Sequence, residues 1–259
     1  KRWKLLYHNT RVSGIIAGNR ANEKGVYGFS DNIVIMPINI SPMGDKHDKD
    51  IAMAIYYAVD NGAKVINLSF SKDFSLKKEW VDEALRYAEK HNVLVVSSAG
   101  NNGFDIDTMQ KYPTDYDYTL KKDFCGNFIT VGATTNLFGE KLVPAFTNYG
   151  KENVDIFAPG YKIYMANHPE SYTTESGTSY AAPMVSGTAA LIWLYYPNLT
   201  VQEVKKIILE SGTSYDIEVL VPGGEGKKAP FKELSKSGKV LNVYNAMEMA
   251  KELSRKNKN

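Results

Sequence analysis

Cysteine is nearly absent from this chain: Cys125 is the only one among 259 residues. That excludes an internal disulfide framework, although it does not exclude export. Net charge is also small, at +2. No basic stripe alternates with aromatics, so nucleic acid is not an expected partner. No apolar run approaches the roughly 20 residues needed to cross a bilayer, so no membrane span is expected. A secretory signal is missing too, but a mature chain would lack one in any case. The last scarcity is local: no Asp or Glu precedes His8. What is present is ordinary for a globular protein, with 43% hydrophobic and 23% charged residues and enough apolar material for a substantial core. Neither an internal repeat nor a linker-like stretch appears, so a single domain over residues 1–259 is expected.

Apolar runs alternate with amphipathic ones. "IVIMPINI" (residues 33–40) reads as a buried strand. "DIAMAIYYAVDNG" (50–62) reads as a helix, with Asp50 as N-cap and Gly62 as stop signal. "KVINLSF" (64–70) is the next strand. "LKKEWVDEALRYAEKHN" (76–92) is a helix with Trp80, Ala84, Leu85 and Ala88 on one face. "VLVVSSAG" (93–100) is apolar throughout, as in a strand covered on both faces. This βαβαβ rhythm predicts an α/β fold with a mainly parallel sheet, right-handed crossovers and helices on both faces. Further on, 104–127 reads as a polar Tyr/Asp-rich loop and "FITVGAT" (128–134) as a strand. Short extended pieces are expected over 154–176. Residues 180–196 form an apolar helix with Pro183 in its first turn. Residues 200–212 form a helix opened by a Thr200/Glu203 capping box. Residues 222–238 read as loop and 242–253 as a closing helix.

Three stretches stand at element ends, where open α/β sheets build their sites. "GTSYAAP" (177–183) places the Ser179 hydroxyl at a helix N-terminus, where free N–H groups and the helix dipole favour negative charge. A plain N-cap serine gives the same pattern, and the hydrolase elbow G-x-S-x-G is broken by Ala181. "SSAGNNG" (97–103) ends a buried strand in a turn from which the Asn101 amide can donate a hydrogen bond. "HNTRVSGIIAG" (8–18) has His8 at the head of a small-residue, helix-like run.

Taken in order, "HNTRVSGIIAG", "VINLSF", "VVSSAGNNG", "VDIFAPG" and "ESGTSYAAPMVSGTAALIWLYYPNLTVQEVKKIIL" resemble the subtilisin-like serine peptidases, the subtilase family, over about residues 8–213. The resemblance implies a three-layer subtilisin-like fold and hydrolysis of peptide bonds. Ser179 then stands as nucleophile and His8 as general base. Asn101 and the Ser179 backbone N–H form the oxyanion hole. Ser69, Phe70 and Ser71 are similar to the edge strand that pairs with an extended substrate. With Ser98, Ala99 and Gly100 they would flank the pocket for the residue before the cut. Protein or peptide substrates are the expected partners, and export to the periplasm, cell surface or medium the expected destination.

The pattern is broken in places. The family's acid precedes its histidine, and here none does. Either the acid lies on a segment outside this sequence, such as a separate N-terminal fragment or propeptide, or the protein lacks it. The first is the expectation, with an N-terminally incomplete sheet short of one strand. A catalytically inactive subtilase fold used for binding is the alternative, and a lipase or esterase the remaining runner-up. Asn9 and Arg11 stand where the family usually has Gly and His. Asn tolerates unusual backbone angles, and Arg11 is expected to face solvent or a carboxylate. The insertion-like stretch 111–127 brings Tyr112 and Pro113 towards the pocket. Asp105, Asp107, Asp115 and Asp117 would either favour basic substrates or belong to a solvated loop. "GDKHDKD" (44–50) invites a metal reading, but alternating charges usually mean a solvated loop. No cofactor is expected, and structural calcium has no motif to support it. Cys125 reads as a small half-buried side chain.

Overall fold

The computed structural model describes residues 2–21, 25–40, 46–167 and 171–257, with side chains from Tyr7 onward. Its first elements are α1 (Arg2–Ala17), α2 (Asp48–Asp60), β1 (Val65–Leu68), α3 (Lys78–Lys90) and β2 (Leu94–Ser98). A two-residue ladder, β3 (Tyr116–Asp117) with β4 (Lys122–Asp123), precedes β5 (Phe128–Thr134) and β6 (Ile156–Pro159). A hairpin, β7 (Ile163–Ala166) with β8 (Tyr172–Glu175), leads into α4 (Thr178–Tyr195) and α5 (Val201–Ser211). Then come β9 (Thr213–Ser214), the pair β10 (Glu218–Leu220) and β11 (Lys228–Pro230), β12 (Lys239–Val240) and α6 (Val243–Lys256).

The central sheet runs β1-β2-β5-β6-β12-β9. Its pairings are parallel except at β9, which meets β12 antiparallel. Strand alternation sends Leu94, Val96, Ile129 and Val131 to one face, beneath α4, α5 and α6. Val95 and Phe128 point to the other, beneath α2 and α3. The three-layer arrangement read from the sequence is therefore present. α1 lies apart from the sheet: Val12 and Ile15 pack on Met165 and Tyr180, and so dock α1 on the hairpin and on α4.

Several local expectations are corrected. Residues 33–40 form no strand, and Val34 is 92% exposed. A strand needs a neighbouring strand to satisfy its backbone groups, and among the described residues no sheet includes this stretch, while β1 pairs only with β2 there. Asp50 is not the cap of α2; His47 holds that position and Asp50 lies in the first turn. Trp80 is exposed and its place in the buried face of α3 goes to Val81, because 81, 84, 85 and 88 share one side of the helix. Residues 222–238 include β11 and a 3₁₀ turn at Phe231–Glu233, whose ring is fully buried. The Thr200/Glu203 capping box is present, and Gly62 adopts φ +85 just past α2.

Candidate active site

Ser179 is the second residue of α4, whose N-cap is Gly177. The helix starts two residues earlier than its apolar run suggests, so Pro183 is inside it and not in its first turn. This has a local consequence. Residue 183 would ordinarily donate to the carbonyl of residue 179, and proline has no N–H to give. The freed Ser179 carbonyl accepts instead from the Ser69 hydroxyl at 2.8 Å. In return, Ser179 Oγ donates to the Ser69 carbonyl at 3.1 Å. Ser69 is itself held: Asn67 Nδ2 donates to its Oγ, and Ser186 of α4 donates to Asn67 Oδ1, both at 2.8 Å.

Asn101 follows β2 and is exposed. Its Oδ1 accepts from the Thr178 backbone N–H at 2.8 Å and from Thr178 Oγ1 at 2.9 Å. Thr178 Oγ1 in turn accepts from the Gly100 N–H at 3.1 Å. With its oxygen fixed to the residue before Ser179, the Asn101 amide nitrogen is left free, with no hydrogen bond among the described residues. The turn behind it rests on Asn148, which donates to the Ala99 carbonyl and accepts from the N–H groups of Asn102 and Phe104. Gly100 has φ +103, and a Cβ there would come within 2.9 Å of Ser71 Oγ. Two walls thus approach each other at this glycine, one from Ser69–Ser71 and one from Ser98–Gly100. Ser98 and Ala99 are buried in the sheet, and Phe70 lies under the Lys46 ammonium at 5.4 Å.

His8 does not head its helix. It lies well inside α1, half-buried, with its ring 5.9 Å from that of Tyr180, the neighbour of Ser179. It makes no hydrogen bond to Ser179 among the described residues. Burial, and then the charges of Arg11 and Lys46, hold its pKa below the ordinary histidine value. Asn9 is helical and exposed, so its side chain needs no special backbone geometry. Arg11 reaches a carboxylate, Glu175, at 3.2 Å and makes two further bonds to Asn167 Oδ1.

Each loop acid has a partner within the protein. Asp107 accepts from the backbone of Glu152 and Asn153, and Asp117 from Thr119 and Leu120. Asp115 is buried beside Lys205 at 3.6 Å. In "GDKHDKD", positions 44 and 45 lie outside the described residues. Burial pushes the Asp48 pKa up, but bonds from Lys72, Ser75 and the Lys77 N–H outweigh it and hold the carboxyl below its usual range. Among the described residues no group of His, Cys, Asp and Glu is placed to hold a metal ion. Cys125 is buried under α2 and α3, more fully than expected, and burial pushes its thiol pKa up. Sequence reasoning missed Asn67, Thr178 and Asn148. Their only signal is a polar residue set in an apolar or glycine-rich run.

Comparison with known proteins bears on the whole arrangement. A sequence profile of the subtilase family matches residues 4–238. A thermophilic serine proteinase of Bacillus sp. (strain AK1) is 37% identical over 73% of this chain and 43% of its own length. Subtilisin DY of Bacillus licheniformis is 32% identical, over 80% of this chain and 70% of its own. A cell wall-associated protease of Bacillus subtilis is 34% identical over 84% of this chain, which spans only 22% of it. Among solved structures, the A-subunit of the AB5 toxin from E. coli aligns with TM-score 0.75 and 25% identity, covering 96% of this chain and 80% of that one. The patellamide maturation protease PatA aligns with TM-score 0.71 and 28% identity, covering 95% and 84%. The chain belongs to the subtilase family.

Proposed function

We propose that this chain is the catalytic part of a serine endopeptidase. Ser179 attacks the peptide carbonyl, His8 takes its proton and later returns it to the leaving amine, and Asn101 with the Ser179 N–H receives the oxyanion. The observation that carries this reading is the fixing of Asn101. Its oxygen is tied to Thr178, so its amide nitrogen is left to donate beside the N-terminus of α4. One such donor contributes about 3 kcal/mol of barrier lowering. The peptide edge fits the same reading, because Phe70 and Ser71 make no backbone hydrogen bond among the described residues and can pair with an extended chain. An exported destination is supported by the cell wall-associated relative.

No carboxylate is hydrogen-bonded to His8 among the described residues, and the edge strand β1 pairs only with β2 there. A second reading, an inactive subtilase fold used for binding, is favoured by one observation: Ser179 Oγ donates to Ser69 and not to His8. A fluorophosphonate probe separates the two. Labelling that disappears in Ser179→Ala supports the peptidase. Unlabelled protein supports the binder.

A further inference from the structure

The insertion-like stretch 111–127 begins with a buried lysine. Lys111 is 6% exposed. Its ammonium is bonded to Asn102 Oδ1 at 3.3 Å, lies 5.2 Å above the Phe104 ring, and is paired with Asp73. These neighbours locate it between the two substrate walls. Asn102 adjoins Asn101 at the end of the Ser98–Gly100 wall. Tyr112 exchanges two backbone bonds of 2.9 Å with Lys72, which directly continues the Ser69–Ser71 wall.

We infer that Lys111 is a specificity-determining residue that selects an acidic side chain, Glu or Asp, at the position before the cut. This rests on the peptidase reading of Ser179 and names its substrate class. The two charges of the pair are unlike in freedom. Lys111 is anchored by burial, by Asn102 and by Phe104, so its charge stays where it is. Asp73 is 79% exposed at its side chain, and a surface carboxylate of this kind is held weakly. An entering substrate carboxylate can therefore take its place on the ammonium while Asp73 turns into water. A basic side chain would instead meet a fixed like charge. Lys46 adds to the preference: it lies over Phe70, acts on His8, and makes no ion pair among the described residues.

The test is binding, which needs no catalysis. Acetylated tetrapeptide amides that differ only in a last Glu, Leu or Lys are titrated into the full-length protein. The Glu peptide binds about tenfold or more tightly than the other two, as one charge-assisted hydrogen bond implies. Lys111→Met abolishes that preference and leaves Leu binding intact, and Asp73→Asn strengthens Glu binding without touching the buried lysine. A preference for Lys, an unchanged ratio in Lys111→Met with a native circular dichroism spectrum, or no measurable Glu binding overturns the inference. Failure of fluorophosphonate labelling beside a clear Glu preference sinks the peptidase reading alone.

Discussion

Ser69 and Ser179 are joined by two hydrogen bonds that run in opposite directions, hydroxyl to carbonyl each way, at 2.8 and 3.1 Å. The exchange exists because Pro183 cannot donate to the Ser179 carbonyl. It fixes the 69–71 segment and the start of α4 to each other, and keeps the Ser179 hydroxyl turned to a carbonyl.

Removing one half of the exchange tests it. Ser69→Ala deletes the donor to Ser179 O but keeps the Ser69 carbonyl. Stability should fall by about 1 kcal/mol, the ordinary worth of a hydrogen bond, as read by urea unfolding. Fluorophosphonate labelling of Ser179 should slow as the helix start loosens. Pro183→Ala should slow labelling as well while leaving the fold no less stable, because alanine restores the helical bond that competes for Ser179 O.

On the proposed mechanism, Asn101→Ala removes a donor to the oxyanion. Turnover should drop by about 10²–10³ with KM little changed, the magnitude established for an oxyanion-hole asparagine of a subtilisin. Thr178→Val keeps Asn101 but frees its oxygen from one of two donors. A smaller loss in the same parameter is expected. An equal rise in KM in both variants would point to substrate binding instead.

His8 titrates low. Burial, Arg11 and Lys46 all disfavour its cation, so proton NMR should place its midpoint below the ordinary 6.5. A histidine with a depressed native pKa loses stability as pH falls through 6.5, where the unfolded chain takes the proton first. Arg11→Met should move the midpoint up. A midpoint that does not move in Arg11→Met would mean that burial alone holds it low.

The sheet and most helices were legible because burial on two faces leaves continuous apolar runs at β2 and β5, and because capping chemistry is local, as at Thr200 and Glu203. Ser179, Asn101 and His8 were legible only through the resemblance, since a serine at a helix start and an asparagine in a turn are ordinary. Residues 33–40 misled for a physical reason. Their apolar pattern is that of a strand, but a strand's existence depends on a neighbour that the pattern does not contain. Pro183 misled because the apolar run begins at Tyr180, whereas α4 begins at Thr178 after its N-cap Gly177, two polar or small residues that the apolar pattern does not mark.

The last prediction concerns Asp115, read from sequence as a loop acid. Three carboxylates, Asp115, Asp123 and Asp155, face two ammoniums, Lys205 and Lys236. Both lysines are held charged above their ordinary range, each by more than one of these acids. One carboxyl is then in excess; among the described residues Asp115 is buried and faces only Lys205, whereas Asp155 faces both ammoniums and accepts from the Thr130 N–H, and burial pushes the Asp115 pKa up to about 7. A raised carboxyl binds its proton more tightly folded than unfolded. Its contribution is complete below the unfolded value of 3.8 and is lost as pH rises through about 7, with an upper bound of about 4 kcal/mol. Melting temperature should therefore fall between pH 5 and 8. His8 slopes the opposite way in that window, so the informative comparison is with Asp115→Asn, in which His8 is unchanged. The parent should lose stability relative to Asp115→Asn as pH rises. Parallel curves would mean that Asp115 stays ionised beside Lys205 throughout.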